Sequence, residues 1–417
     1  MHSTLAHTSL LVLAAMLSGQ APAQPPGLTP EPPRDSDLRV QLEPVGRMPT
    51  SRNPASPAAA GSQLLLIDQT GYLYRWDGTV GVPLITPRTM PRDVKPLGVE
   101  QLMNVAADRS GSKIYVMFIS SAPPKEVPRR MSPRDPDAWY VLYEYQFDGT
   151  ALSAPRPVTA MQVRSEGHTG GGLIVLDDGS LLFAAGDNGD SYEDGRDNGQ
   201  NPAVHLAKIV RINPGDGSTT IVAAGVRSPQ RLALYTFGDQ QWVTFVDPGG
   251  WVSEELNAAP VSDLVGGRSP LNFGWGRDPT GGQSREGTFR IDRTGNSTAR
   301  APVGEPPFID PVAEFGRQQH EPIAASGPVH SDRSFSRITL LFGDLVSGRL
   351  FATIGPPSSK RQDVLSVTIV DRNGQPVTLK GMTKNDRPDP RFFNFPDGSA
   401  GILLERTGEF YRISEVR

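Results

Sequence analysis

A histidine and an aspartate bracket one short stretch of this chain. His168 precedes the apolar run 173–176, and Asp187 follows the apolar run 181–185. Between the runs lies D-D-G-S at 177–180, which is turn chemistry because its glycine takes a positive φ at no steric cost. Two strands joined by a tight turn bring their outer ends to one edge of a sheet, so the spacing predicts that His168 and Asp187 are neighbours. A carboxylate beside an imidazole fixes its tautomer and stabilises the imidazolium, which makes the pair a candidate general base with its orienting acid. The same residues also suit a loop-capping His168 and a turn-starting Asp187.

A second stretch has a different chemistry. In D-P-G-G-W-V-S-E-E-L-N at 247–257, Gly249 and Gly250 let backbone carbonyls approach a hard cation, and Glu254, Glu255 and Asn257 add oxygen ligands. Calcium accepts such a mixture of carboxylate and carbonyl oxygens. The plainer alternative is a pair of solvated glutamates on a loop. Trp251, Phe273 and Trp275 lie among these loops, where aromatic faces stack on sugar C–H surfaces or simply fill a core. His320 and His330 bracket the stretch H-E-P-I-A-A-S-G and are weaker candidates for lining a cleft.

The elements that hold such residues are strands. An apolar strand, an Asp/Gly turn and a second apolar strand recur at 64–76, 106–118, 176–185, 237–246, 338–353 and 395–413. That spacing, roughly 60 residues per unit, suits four-stranded blades carrying loops, and the fold class expected is all-β, a six-bladed β-propeller. A pair of β-sandwiches competes, but no linker divides the chain. The 44 glycines and 40 prolines fit many turns, and helical periodicity is almost absent. The longest interval between units, 247–337, reads as Gly/Pro-rich loop, and 125–137 as a charged surface excursion.

Residues 1–23 read as an export signal: a weakly basic start, a short apolar stretch at 10–17, and Ala21-Pro22-Ala23 before a cleavage point. Residues 24–38 are Pro-rich and are expected to form an extended or disordered arm, with the propeller domain spanning 39–417. The expected location is periplasmic or secreted, with no membrane span in the mature chain. The chain has no cysteine, which excludes disulfides, thiolate metal sites and cysteine nucleophiles. A net charge of −4 argues against nucleic acid as a partner.

Taken in order, H-T-G-G-G-L, G-D-N, K-I-V-R-I-N-P-G-D-G-S, A-G-V-R-S-P-Q-R-L-A-L, the 247–257 stretch, L-N-F-G-W-G, H-E-P-I-A-A-S-G and G-D-L-V-S-G-R-L-F resemble the soluble quinoprotein sugar dehydrogenases, which use pyrroloquinoline quinone (PQQ). The branch of hedgehog-interacting-like proteins looks nearest. The resemblance covers roughly residues 60–413 and implies a six-bladed propeller that oxidises an aldose at its anomeric carbon, with hydride passing to the quinone. It implies that His168 is the general base, that Asp187 orients it, and that Arg227 lies against the cofactor and stabilises charge on the reduced quinone. Removing a hydride from a C–H bond requires loss of the neighbouring O–H proton and a cation for the arriving electron density. Alone, Arg227 would read as a structural salt bridge. The resemblance adds Gln230, Gly249, Gly250, Arg387 and Arg391 as cofactor contacts. It adds calcium as a second cofactor on Glu254, Glu255 and Asn272. The implied partners are a sugar substrate and an electron acceptor, the chain being a monomer or homodimer.

The chain departs from the family pattern at three places. Val346 stands where a cofactor-pairing lysine is usual, Arg349 facing the other side of that strand. Gly172 replaces an arginine after H-x-G-G. Arg387 and Arg391 are displaced from the usual R-x-R pair before the last P-D-G turn. These departures keep open a non-catalytic propeller that binds a carbohydrate or a protein; a calcium-dependent lactonase is a third reading, since propellers with a central calcium and a histidine also run that chemistry.

Overall fold

A computed structural model of the chain describes residues 28–417 apart from 50–51, 96, 98–100, 132–135, 165–166, 190–197, 251, 277–283, 293–295 and 317–324. The expected export signal, Trp251 and His320 lie outside the described residues.

The recurrent hairpins are present and each extends into an antiparallel meander. Ala58–Ala60, Gln63–Asp68, Tyr72–Trp76 and Gly81–Ile85 make one sheet. Leu102–Ala107, Lys113–Ser120, Ala138–Phe147 and Leu152–Val163 make the next. Gly170–Val175, Leu181–Ala185, Lys208–Ile212 and Thr219–Ala224 make the third. Ala233–Phe237, Gln240–Asp247 and Ser253–Pro260 pair in turn and are completed by Ala313–Gly316. Ala325–Val329, Leu340–Asp344, Leu350–Thr353 and Leu365–Val370 follow. The last meander, Pro390–Asn394, Ala400–Leu404 and Glu409–Val416, takes its fourth strand from the other end of the chain, Arg39–Arg47. That strand runs antiparallel to Glu409–Val416, with Arg39 opposite Val416 and Arg47 opposite Glu409.

Successive sheets pack face to face. Tyr115, Met117, Tyr140 and Leu142 meet Leu173, Leu181 and Phe183 of the next sheet. Leu182, Ile209 and Val222 meet Val243 and Phe245. The last sheet returns to the first, where Phe393, Leu403 and Phe410 pack on Leu64, Leu66 and Tyr74. Inner strands are therefore covered on both faces, which is why 64–67 reads L-L-L-I rather than alternating. Each large apolar side chain buried in this way contributes about 1.5–3 kcal/mol.

Three expectations need correction. The interval 247–337 is not one loop: it holds two strands of the fourth meander and a three-stranded sheet, Ser284–Glu286, Phe289–Ile291 and Ser297–Arg300. The strands were hidden because Ser253–Pro260 buries polar side chains and so shows no alternation. The arm at 24–38 is ordered by contacts over its second half: Arg34 pairs with Asp363, Ser36 Oγ donates to the Ser366 carbonyl at 2.5 Å, and Leu38 is buried. In the excursion at 125–137, Arg129–Arg130 adds to the second sheet beside Ala160 and Met161.

Candidate active site

The hairpin Gly170–Val175/Leu181–Ala185 pairs Gly170 with Ala185 and so sets the two flanking loops side by side. His168 Nδ1 lies 2.7 Å from Asp187 Oδ1; Asp187 is fully buried, and the imidazole is 31% exposed. The approach is close because Gly186 has no side chain: a Cβ there would lie 1.8 Å from the His168 carbonyl oxygen. His168 itself has φ +37°, a conformation that costs of order 1–3 kcal/mol and is typical of side chains held for function. The Tyr140 hydroxyl donates to the neighbouring Thr169 carbonyl.

Asp187 is held from several sides. Its Oδ1 also accepts the Gly189 N–H at 2.9 Å, and its Oδ2 accepts the Trp275 indole N–H at 3.0 Å. The backbone is fixed by Asp187 N–H to Arg227 O at 2.8 Å and by Asn198 Nδ2 to Asp187 O at 2.9 Å. Trp275 is thus more than core filling. It anchors the acid, and its ring lies 5.3 Å from the Arg227 guanidinium carbon. Phe273, by contrast, packs edge-on against Phe245 in the core.

Arg227 Nη2 is 3.1 Å from His168 Nε2. A guanidinium only donates, so Nε2 is the acceptor, and Nδ1 carries the proton it donates to Asp187. The geometry therefore selects the tautomer a general base requires. Arg227 is aimed by Asp247, whose carboxylate accepts the N–H groups of Arg227 at 2.7 Å and Ser228 at 2.6 Å, and by the Pro248 carbonyl, which accepts Nη1 at 2.9 Å. Burial pushes the Asp247 carboxyl up to about 7; the two backbone donors and Arg227 oppose that rise, and Asp187 adds to it.

His168 opens onto a cavity of about 370 Å³ whose lining includes Gln69, Asn104, Ser228, Gln230, Arg387 and Arg391. Both displaced arginines reach it. Arg391 Nη2 pairs with Glu405 at 2.5 Å and its Nη1 donates to Gln230 Oε1 at 3.3 Å; Arg387 pairs with Asp389 at 3.0 Å. Among the described residues no carboxylate lines the cavity. From the hairpin that carries Val346, it is Leu345 that lines the cavity, while Arg349 lies over Phe351. Gly172 has no room for the family's arginine: a Cβ there would be 2.4 Å from the Leu232 side chain.

The proposed ion ligands are not brought together. Glu254 and Glu255 are successive residues of Ser253–Pro260 and face opposite sides of the sheet. Glu255 accepts Gly287 N–H at 2.5 Å and Asn257 Nδ2 at 3.0 Å. Asn272 is committed to Gln200 and to Gly274 N–H. Gly249 and Gly250 lie against Ser253, Glu286 and Trp275 and do not line the cavity. Among the described residues no group of three or more His, Asp or Glu side chains is arranged to hold a metal ion. Glu254, Glu255 and Asn272 thus do not converge on one point in this arrangement. The alternative reading of Glu254 and Glu255 as solvated glutamates fails, since both are buried. His330 packs on Tyr235, with Nδ1 at 2.7 Å from the Thr339 carbonyl, and does not line the cavity.

No protein-family model and no curated protein matches the chain. Solved structures do. The PQQ-bound form of the aldose sugar dehydrogenase from Streptomyces coelicolor superposes with a TM-score of 0.60 at 18% identity, over 92% of this chain and 100% of that one. A structure described as a glucose dehydrogenase gives 0.58 at 17%, over 90% and 98%. At such identities the likeness is one of architecture: this chain shares the fold of those two dehydrogenases over nearly their whole length.

Proposed function

We propose that the chain is a PQQ-dependent dehydrogenase of aldose sugars built as a six-bladed propeller. The six meanders, each packed on the next, support the blade count. The observation that carries the function is the chain of contacts Asp187–His168–Arg227 at the mouth of a cavity whose described lining includes two arginines and no carboxylate. Such a lining fits a quinone bearing three carboxylates. Arg391, Arg387 and Gln230 would hold that group. When bound, it supplies the two-electron acceptor for the hydride. The sugar and its physiological electron acceptor belong to the same proposal, and so does export to the periplasm or medium.

The protein's own part is proton and charge handling. His168 Nε2 has one lone pair, and Arg227 Nη2 lies 3.1 Å from it. A sugar hydroxyl reaches Nε2 only when the guanidinium turns toward incoming negative charge. The base is thus exposed as the cation is placed where electron density arrives. Nε2 then takes the hydroxyl proton, and Asp187 stabilises the resulting imidazolium through Nδ1–H.

The test is reconstitution with PQQ followed by assay of an aldose panel with an artificial electron acceptor. Reduction of the acceptor and a spectral change on adding the quinone are expected; absence of both sinks the proposal. A binding protein without turnover is the second reading. It is favoured by the carboxylate partners already held by Arg387 and Arg391 and by Leu345 in place of a cation. Nanomolar quinone affinity would exclude it.

A further inference from the structure

Below the site the bore of the ring continues as a second cavity of about 280 Å³. It shares Ser56, Asn104 and Gly171 with the upper one. Its walls come from the first strands of several meanders and are mostly aliphatic, Ala58, Ala59, Val105 and Ala106 among them. Among the described residues Arg231 is the one charged side chain that lines it, and no carboxylate does.

Arg231 sits deep in the protein with part of its surface on the cavity. Its hydrogen-bond acceptors are neutral: the Pro328 carbonyl for Nη1 and Asn394 Oδ1, at 3.3 Å, for Nη2. Burial lowers its pKa to about 10, and no carboxylate opposes that fall, so the guanidinium remains charged at neutral pH. Of its five N–H donors, these contacts use two. Nearby, Asn104 lines the same bore and leaves its buried Nδ2 with no hydrogen-bond partner; a turn of the amide presents a second donor to the cavity. A buried cation and a spare amide donor over apolar walls, with no compensating acid, form a costly arrangement unless a negative charge joins them.

We infer that the bore holds a specific site for one weakly hydrated monovalent anion of the halide class, bound by Arg231 and Asn104. A single positive charge sets the valence, and aliphatic walls favour bromide or iodide over strongly hydrated sulfate.

The test is anomalous diffraction from crystals of the full chain soaked in bromide. It is paired with thermal melts in sodium bromide and sodium sulfate at matched ionic strength. A bromide peak within hydrogen-bonding distance of the Arg231 guanidinium is expected, with a saturable rise in Tm in bromide alone. Arg231→Met should weaken the apparent bromide affinity at least tenfold. If that variant fails to fold, chloride-35 NMR of the native protein replaces it, and line broadening that bromide competes away is the expected result. Only water beside Arg231, a Tm unresponsive to halide, or displacement of the anion by added PQQ would each overturn the site, the last by handing the charge to the cavity above.

Discussion

The two faces of the Arg227 loop carry charge in opposite ways. On one side lies the cavity, lined by His168, Arg387 and Arg391 and, among the described residues, by no acid, the two arginines being anchored behind it by Asp389 and Glu405. On the other lies a packed group of acids, Asp247, Glu255, Glu286 and Glu314, all buried. The acids are saturated from within. Glu286 Oε1 accepts the N–H groups of Val252 and Ser253 at 2.7 Å each; Glu314 accepts Thr288 N–H at 2.9 Å and Arg300 at 2.9 Å. Burial raises the Glu255 carboxyl well above its usual range, with Asp247 and Glu314 adding to the rise. Charge that has found its donors inside the fold is scaffold, whereas charge facing a cavity waits for a ligand.

His168→Ala tests that division most severely. Turnover of the PQQ-reconstituted protein should fall about 10²–10⁴-fold while the melting temperature stays near that of the parent. A large drop in melting temperature would move His168 to the scaffold side. Arg391→Gln should weaken quinone binding by roughly 10–100-fold, the worth of one charge-assisted hydrogen bond at about 1.5–3 kcal/mol, read by fluorescence titration. Trp275→Phe keeps the ring but removes the N–H that Asp187 accepts. Turnover should fall by about tenfold with quinone affinity nearly unchanged, and an equal loss in both would show a packing role.

The acid side supplies the smallest effect. Burial lifts the Asp247 carboxyl from its ordinary 3.8 to about 7 in the folded protein. Between those values the folded state holds a proton that the unfolded state has lost. Stability from this group is therefore complete below pH about 4 and declines as pH rises toward 7, by at most about 1.4 kcal/mol per pH unit. Urea melts across that range should show Asp247→Asn flattening the slope relative to the parent; parallel slopes would remove the assignment.

The meeting of His168 and Asp187 was readable because it depends only on a turn and a two-residue period. So were the hairpins, whose double-sided burial leaves long apolar runs. The reach of Arg391 was not readable, since it depends on how Pro390–Asn394 enters the ring and on contacts with Glu405 and Gln230 that lie far along the chain. Glu254 and Glu255 misled for the opposite reason: acids usually mark solvent, and nothing local reveals that both are buried or that the distant Gly287 N–H donates to Glu255. Trp275 hid its role because a tryptophan in a core and one that donates to an acid have the same letter. The one signal for Asp247 was its place before P-G-G, where a strand ends and its carboxylate meets the next turn.

The pairing of Arg39–Arg47 with Glu409–Val416 carries a temporal consequence. Arg39–Arg47 precedes the six meanders and its partner Glu409–Val416 is the last strand of the sixth, so this sheet closes only after the intervening meanders have been made. Until Glu409–Val416 has been made, Ala400–Leu404 shows an unpaired edge and Arg39–Arg47 lacks its antiparallel partner. Any helper protein that shields this fold from misassembly would be needed most in that interval.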